Sequence, residues 1–137
     1  MCFWINKKIF KLKLKEKNKN ILLEIANTIS ESVNVLSSTK RKSLHISAVF
    51  ACNFVNHMYA VSSEILESEG ISFEALKPLI LETAQKVQTM EPKNAQTGPA
   101  VRFDENIISS HLNELSGNQK EMYRLITDSI KKTYNND

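Results

Sequence analysis

The sequence predicts an all-α fold, a helical bundle built around one long central helix. The 137 residues include only three Gly and three Pro, too few for the many tight turns of a β-sandwich. Hydrophobic residues make up 42% of the chain and charged residues 24%, which suits one folded domain and not a disordered chain. From residue 20 onward, apolar residues recur at helical spacing, which favours helices over strands.

Charge divides the chain at residue 19. Residues 1–19 carry seven of the 18 Lys and Arg and one of the 15 acidic residues, so the basic charge belongs to this lysine-rich head. The domain that follows, residues 20–137, is mildly acidic, which argues against nucleic-acid binding. Within the head, Phe10–Lys15 alternates apolar residues with lysine, the pattern of an edge strand. A basic tail for an anionic partner, the end of an upstream sheet and a solvated leader all remain open.

The first two helices follow from caps and spacing. Asn20 is the predicted cap of a helix with its apolar face at Leu22, Ile25, Ala26 and Ile29. Val33–Leu36 is short and β-branched, which predicts a strand or an extended link. Cap residues follow at 37–39, and the chain then has no Gly or Pro until Gly70. This run predicts one helix of about 30 residues that Gly70 terminates.

Three more helices complete the prediction. Ser72 caps one that runs to about Met90, and Pro78 within it predicts a kink or a separate first turn. A loop over residues 94–103 follows. Asp104 then caps a helix, and Asn118, three residues before a Glu, begins the last one as a near capping box.

A stripe of polar residues is predicted on the long helix. Counted at 100° per residue, five of them share one side: His45, Cys52, Asn53, Asn56 and His57. Apolar residues fill most of the remaining circumference, which predicts a largely buried helix. Buried amides and imidazoles need partners. These are either neighbouring helices or a small polar substrate, for which a histidine could act as acid or base.

The loop is the second candidate site. Gly98 allows close backbone approach, and its neighbours Thr97 and Arg102 could hold an anion together with exposed N–H groups. The alternative is a plain connector in which Arg102 pairs with Asp104 or Glu105.

Several function classes are not expected. The chain has no HExxH motif and no paired CxxC motif, so no metal site is predicted. It has no glycine-rich fingerprint or P-loop for a cofactor phosphate. Two cysteines cannot form a disulfide framework, and no run of about 18 apolar residues could span a membrane. We therefore expect a cytoplasmic protein.

Three segments together resemble a known family. They are LHISAVFACNFVNH over 44–57, FEALKPLILET over 73–83 and AQTGPAVR over 95–102. They are similar to the C-terminal helical domain (domain of unknown function 2520) of Rossmann-type oxidoreductases. These proteins look like pyrroline-5-carboxylate reductases and are related to the 6-phosphogluconate dehydrogenase superfamily. The resemblance runs in order from about Ile21 to about Thr133.

This resemblance implies a 6-phosphogluconate dehydrogenase C-terminal-like bundle that dimerises through its helix faces. It also implies an NAD(P)-binding Rossmann domain, supplied in cis or in trans, with the substrate cleft between the two domains. The chain itself lacks that half, so we expect it to bind no cofactor and to be inactive alone; Phe10–Lys15 would be a remnant of the last Rossmann strand. The implied function is the substrate-binding and dimerisation domain of an NAD(P)-dependent oxidoreductase acting on a small molecule. The candidate cleft residues are His45, Asn53, His57, Gln96, Thr97, Gly98 and Arg102.

A second function remains open beside this one. The chain would be a non-catalytic helical interaction module whose basic head binds an anionic partner.

Overall fold

The computed structural model describes residues 19–29 and 36–135. These residues form helices and the turns that join them, with no strand among them, so the predicted all-α fold class is confirmed. The Phe10–Lys15 pattern and residues 33–35 of the candidate strand lie outside the described residues. In the described part, no helix is long and apolar enough to cross a membrane.

The helices divide the described chain as follows. In order they are α1 (Lys19–Ile29), α2 (Ser38–Ala48), α3 (Val55–Ser68), α4 (Lys77–Thr89), α5 (Pro92–Ala95), α6 (Glu105–Glu114) and α7 (Gly117–Tyr134). A π-helical segment, Val49–Phe54, joins α2 to α3, and a 3-10 turn, Phe73–Leu76, precedes α4.

The predicted long helix is present over residues 38–68, but it is not regular. The Ser37 hydroxyl accepts a 3.2 Å hydrogen bond from the Lys40 N–H at its start. At its end, Ile71 N donates to Leu66 O and Gly70 N donates to Glu67 O. Gly70 adopts φ +69°, which completes a Schellman motif. The π-helical segment in the middle was not predicted, and its wider turn invalidates a uniform 100° count along the helix.

Other helix starts were predicted with mixed success. The Ser72 hydroxyl and the Asp104 carboxylate accept hydrogen bonds from the N–H groups of Glu74 and Ile107, as expected of caps. Pro78 lies in the first turn of α4, after a separate 3-10 turn. Asn20 and Asn118, however, lie inside α1 and α7, so both predicted caps were wrong. The short helix α5 was also missed, and it overlaps the start of the predicted loop.

The chain forms two compact units, Met1–Asn53 and Phe54–Asp137. In the second unit, α6 packs against α7, and the 3-10 turn packs against both α3 and α4. Among the described residues, the buried ones are Ala100, Ile108 and Thr127, and all three belong to this unit.

The long helix is not buried, contrary to the prediction. No residue of α2, the π-helical segment or α3 is buried. Ile46 is 59% exposed and Ile65 is 38% exposed. The helical spacing of apolar residues correctly marks their faces. It does not require the same chain to cover those faces, and here the described part of the chain does not.

Candidate functional site

The second unit contains an apolar groove between α3 and α7, closed at one end by the loop that follows α5. Its volume is about 290 Å³. One wall is formed by α3 side chains spaced three and four residues apart, Met58 to Ile65. The other is formed by the facing side chains of α7, Gln119 to Ile130, and the end by Thr97, Pro99 and Ala100. We call this the α3–α7 groove.

Polar side chains along the groove are mostly used within the chain. The Ser62 hydroxyl donates a 2.8 Å hydrogen bond to Met58 O. The Tyr123 hydroxyl shares a 2.8 Å hydrogen bond with His111 Nδ1 on α6. Gln119 Nε2 donates to Glu64 Oε2 at 3.4 Å, which links α7 to α3. The groove therefore offers mainly apolar contact and is poorly suited to a small polar substrate.

The loop beside the groove is held by its own backbone. Asp104 N donates to Pro99 O at 3.0 Å, and Phe103 N donates to Ala100 O at 3.3 Å. Two loop residues have positive φ, Gly98 at +110° and Phe103 at +52°. Ala100 is buried beneath the turn. These contacts give the loop a defined conformation and leave Thr97 and Arg102 exposed.

Arg102 does not form the ion pairs that the connector interpretation required. Asp104 instead accepts a hydrogen bond from Ile107 N at the start of α6. Glu105 pairs with Lys131 of α7, with Nζ and Oε1 2.6 Å apart. Among the described residues, Arg102 makes no hydrogen bond or ion pair. Its guanidinium is thus available to an anionic group from outside the chain.

The backbone conformation of Gly98 favours glycine whether or not a ligand approaches it. A Cβ atom built on Gly98 would have no other atom of the chain within 4 Å. Close packing therefore does not demand glycine here, whereas the φ of +110° does. Beside it, Gln96 Nε2 donates to Thr97 O at 3.0 Å, so its amide stabilises the loop backbone.

The remaining candidate residues belong to both units of the chain. His45 and Asn53 belong to the first unit, and His57 belongs to the second. All three residues are exposed, so the prediction that these polar groups need partners because they are buried does not apply to them. Thr97 lines the α3–α7 groove, whereas Gln96, Gly98 and Arg102 lie in the same loop outside its lining. A role for these residues in a cleft stays a prediction.

Sequence reasoning did not identify the groove or the His111–Tyr123 pair. Met122, Ile126 and Ile130 recur at helical spacing in the sequence, and they form part of the α7 wall of the groove. One signal was available. His111 and Tyr123 flank the Ser116–Gly117 break at a separation of 12 residues, which suits two helices folded back on each other.

The described residues do not fit a metal ion or a dinucleotide. No three His, Cys, Asp or Glu side chains in the described ranges lie close enough to share a metal ion. The chain's three glycines are widely separated, at 70, 98 and 117. No strand precedes any of them in the described part, and a dinucleotide site needs a strand, a glycine-rich turn and a helix.

Comparison with known proteins gives a family match and a structural match. The family model "Domain of unknown function (DUF2520)" matches residues 9–130. No curated protein matches the chain.

Among solved structures, the chain is similar to a protein from Bacteroides fragilis named "putative NADP oxidoreductase BF3122". The two are 46% identical, with a TM-score of 0.81 over 86% of this chain. This chain spans 46% of the length of that protein. The resemblance inferred from the three sequence segments is therefore confirmed at the level of the family.

Proposed function

The chain belongs to the DUF2520 family, and from this premise we propose that it is the helical, substrate-binding and dimerisation domain of an NADP-dependent oxidoreductase. One observation carries the proposal. The chain is 46% identical, over an alignment that covers 86% of its length, to the Bacteroides fragilis protein named "putative NADP oxidoreductase". Identity at this level, together with a TM-score of 0.81, supports a shared role for the domain and not only a shared architecture.

The cofactor would be held by a Rossmann domain in cis or in trans. This chain corresponds to less than half of the Bacteroides fragilis protein, and its described residues do not fit a dinucleotide. We propose that the chain contributes nothing to the cofactor phosphates. When bound to the other domain, NADPH would supply the hydride.

The contribution of this chain would be to bind and orient a small oxo or imino substrate. The loop over residues 96–102 supports this role best, because backbone hydrogen bonds stabilise its turn and the Arg102 guanidinium has no partner among the described residues. Arg102 would bind a carboxylate of the substrate in two-pronged geometry, which fixes the orientation of the carbonyl or imine carbon. Thr97 would donate a further hydrogen bond. Asn53, His57 and, with less support, His45 remain candidate cleft residues.

Dimerisation is proposed from the exposed apolar side chains. Several lie on helices and not in loops, for example Ile46 on α2 and Leu125 on α7, the latter 73% exposed. Apolar helix faces of this kind usually mark an interface. A closed two-fold dimer is the commonest way to cover them.

A chimera tests the substrate-binding role. The part of the Bacteroides fragilis protein that this chain matches is replaced by residues 20–137, and NADPH oxidation is followed with small oxo and imino acids. The intact relative defines which compounds are reduced. We expect the chimera to reduce the same compounds, and Arg102→Ala to raise KM at least tenfold without changing the Kd for NADPH. Arg102→Lys should recover part of the loss, and Arg124→Ala on α7 is the matched control.

The proposal fails if the chimera binds NADPH but does not reduce the compounds that the intact relative reduces. If Arg102→Ala and Arg124→Ala give the same KM, the proposed role of the loop in substrate binding is wrong, while the substrate-binding role of the domain stands.

A further inference from the structure

The α3–α7 groove offers a ligand apolar contact and no charge. None of the residues that line it in the described part of the chain is charged. The Ser62, Gln119 and Tyr123 side chains of its lining already hold hydrogen bonds within the chain. A strongly polar group placed inside would lose its hydrogen bonds to water without replacing them. An apolar group would leave water at no such cost.

Both flanks of the loop that closes the groove are attached to the last turns of α7. Before the loop, the Tyr134 hydroxyl donates a hydrogen bond to Lys93 O, and the Lys93 ammonium lies 5.8 Å from the centre of the Tyr134 ring. After the loop, Glu105 pairs with Lys131. The loop over residues 96–102 therefore closes the groove at the C-terminal end of α7.

The two ends of the groove differ in charge. At the N-terminal end of α7, Gln119 donates to the exposed Glu64 carboxylate. At the loop end, Arg102 follows the lining residue Ala100 by two positions, so their Cα atoms are at most about 7 Å apart. Arg102 is exposed and has no partner among the described residues, so its long side chain is available to a carboxylate at this end. An anion is thus attracted to the loop end and repelled from the opposite one.

The volume of the groove sets the size of the apolar group that it can take. An apolar cavity of about 150 Å³ accommodates benzene, and the groove has about 290 Å³. An alkyl or aryl group of about six to ten carbons would fill this space. Each buried methylene tightens binding about three- to fourfold, so a shorter acid would leave most of the available affinity unused.

We propose that the substrate is a monocarboxylic oxo or imino acid with an apolar side chain of about six to ten carbons. Its carboxylate binds Arg102, and its side chain lies in the α3–α7 groove. This deepens the proposed function and rests on it. The reacting carbon lies beside the carboxylate, because the groove beyond it takes the apolar chain. A second carboxylate would enter the uncharged groove or approach Glu64, so dicarboxylic acids are disfavoured.

NMR of the methionine methyl groups tests where such an acid binds. Met58 and Met122 line the groove, whereas Met90 lies outside its lining and is 46% exposed. The full chain is labelled with methyl-¹³C methionine and titrated with octanoate, an unreactive analogue, below its micelle concentration. We expect the signals of Met58 and Met122 to shift and that of Met90 to stay. An equal shift of all three, or no shift at all, would overturn the proposal.

Chain length and charge provide two further readouts in the same titration. The Kd should fall about thirtyfold or more from butanoate to octanoate, which differ by four methylenes. Ile126→Asn in the groove should weaken octanoate binding at least fivefold. Leu125→Asn is the matched control, since Leu125 is 73% exposed and lies outside the lining.

The carboxylate contact is tested with a neutral ligand of the same length. Arg102→Ala should weaken octanoate binding about tenfold, the loss expected for one charge-assisted contact, and leave the binding of 1-octanol unchanged. Arg124→Ala should alter neither. Equal Kd values for butanoate and octanoate, or equal effects of Ile126→Asn and Leu125→Asn, would contradict the assignment of the groove.

The chimera separates this inference from the proposed function. Each turnover would add a hydride from NADPH to the oxo carbon and a proton from water to its oxygen. We expect kcat/KM for 2-oxooctanoate to exceed that for 2-oxobutanoate at least tenfold, and Ile126→Asn to remove this preference. If the chimera reduces 2-oxobutanoate equally well, or only other compounds of the intact relative, the substrate class is wrong while the substrate-binding role stands. If it reduces none of the relative's compounds, both are wrong.

Discussion

His111 Nδ1 and the Tyr123 hydroxyl lie 2.8 Å apart and share a hydrogen bond between α6 and α7. Their rings meet edge to face, with an interplanar angle of 84° and centroids 5.6 Å apart. This polar contact joins the two helices whose residues Ile108 and Thr127 are among the few that are buried. Because it combines a hydrogen bond with an aromatic contact, it orients α6 relative to the α7 wall of the groove.

Tyr123→Phe removes the hydrogen bond and keeps the ring. We expect the free energy of unfolding to fall by about 0.5–1.5 kcal/mol, the usual net contribution of one such bond. Urea unfolding at a fixed protein concentration measures this, since stability depends on concentration in a dimer. Tyr59→Phe is the control, because the Tyr59 hydroxyl makes no hydrogen bond among the described residues. Equal effects of the two substitutions would refute the assignment.

The Glu105–Lys131 pair should contribute a small, salt-sensitive stabilisation. Nζ and Oε1 are 2.6 Å apart, and the side chains are 22% (Lys131) and 65% (Glu105) exposed. A double-mutant cycle with Glu105→Gln and Lys131→Met should give a coupling free energy of about 0.5 kcal/mol, as for other partly exposed pairs. The coupling should shrink in 1 M NaCl. Zero coupling at low salt would show that the pair does not stabilise the packing of α6 on α7.

Substitutions at two glycines should show how the cost of backbone strain depends on φ. Neither Gly70 nor Gly98 would place a Cβ near another atom, but their φ values are +69° and +110°. Asn tolerates the first conformation and not the second. We therefore expect Gly70→Asn to cost less than about 0.5 kcal/mol and Gly98→Asn about 1–3 kcal/mol. Thermal unfolding of the two variants side by side decides this, and an equal cost would contradict it.

The Glu82 carboxyl should titrate below its usual pKa. Its hydrogen bond and ion pair with Lys86 lower the pKa from the ordinary value of 4.5. Since the folded-state pKa is the lower one, the stabilisation is present above pH 4.5 and is lost as the pH falls through the folded-state value. Lys86→Met should return the pKa of Glu82 towards 4.5 in an NMR titration. Lys77→Met, which disrupts the neighbouring Glu74 pair, should leave it unchanged.

Features of the fold that depend on interactions between residues close in sequence were predicted best. Most local signals succeeded: the Ser37, Ser72 and Asp104 caps and the Gly70 terminus each depend on atoms within a few residues, although the caps predicted at Asn20 and Asn118 were wrong. The π-helical segment, Val49–Phe54, has no comparable local signal, and it altered the angular count on which the His45–His57 stripe was based.

The prediction that the long helix is largely buried was wrong, and the reason is physical. Helical spacing shows which side of a helix is apolar, but not which molecule covers it. The loop was predicted as a candidate site from residue types alone, and the available guanidinium of Arg102 emerged only once Asp104 and Glu105 were seen bound to other groups.

The final prediction concerns the cofactor. Among the described residues, no strand precedes any of the three isolated glycines, so we expect no dinucleotide site there. A ligand present at 100 times its Kd would raise the free energy of unfolding by about 2.7 kcal/mol, a shift in Tm that is easily measured. We expect 1 mM NADPH to leave the Tm of the chain unchanged, whereas the Bacteroides fragilis protein under the same conditions should be stabilised. A rise in Tm for this chain alone would mean that it holds a dinucleotide site, and would overturn the division of labour in which a Rossmann domain binds the cofactor and this domain positions the substrate.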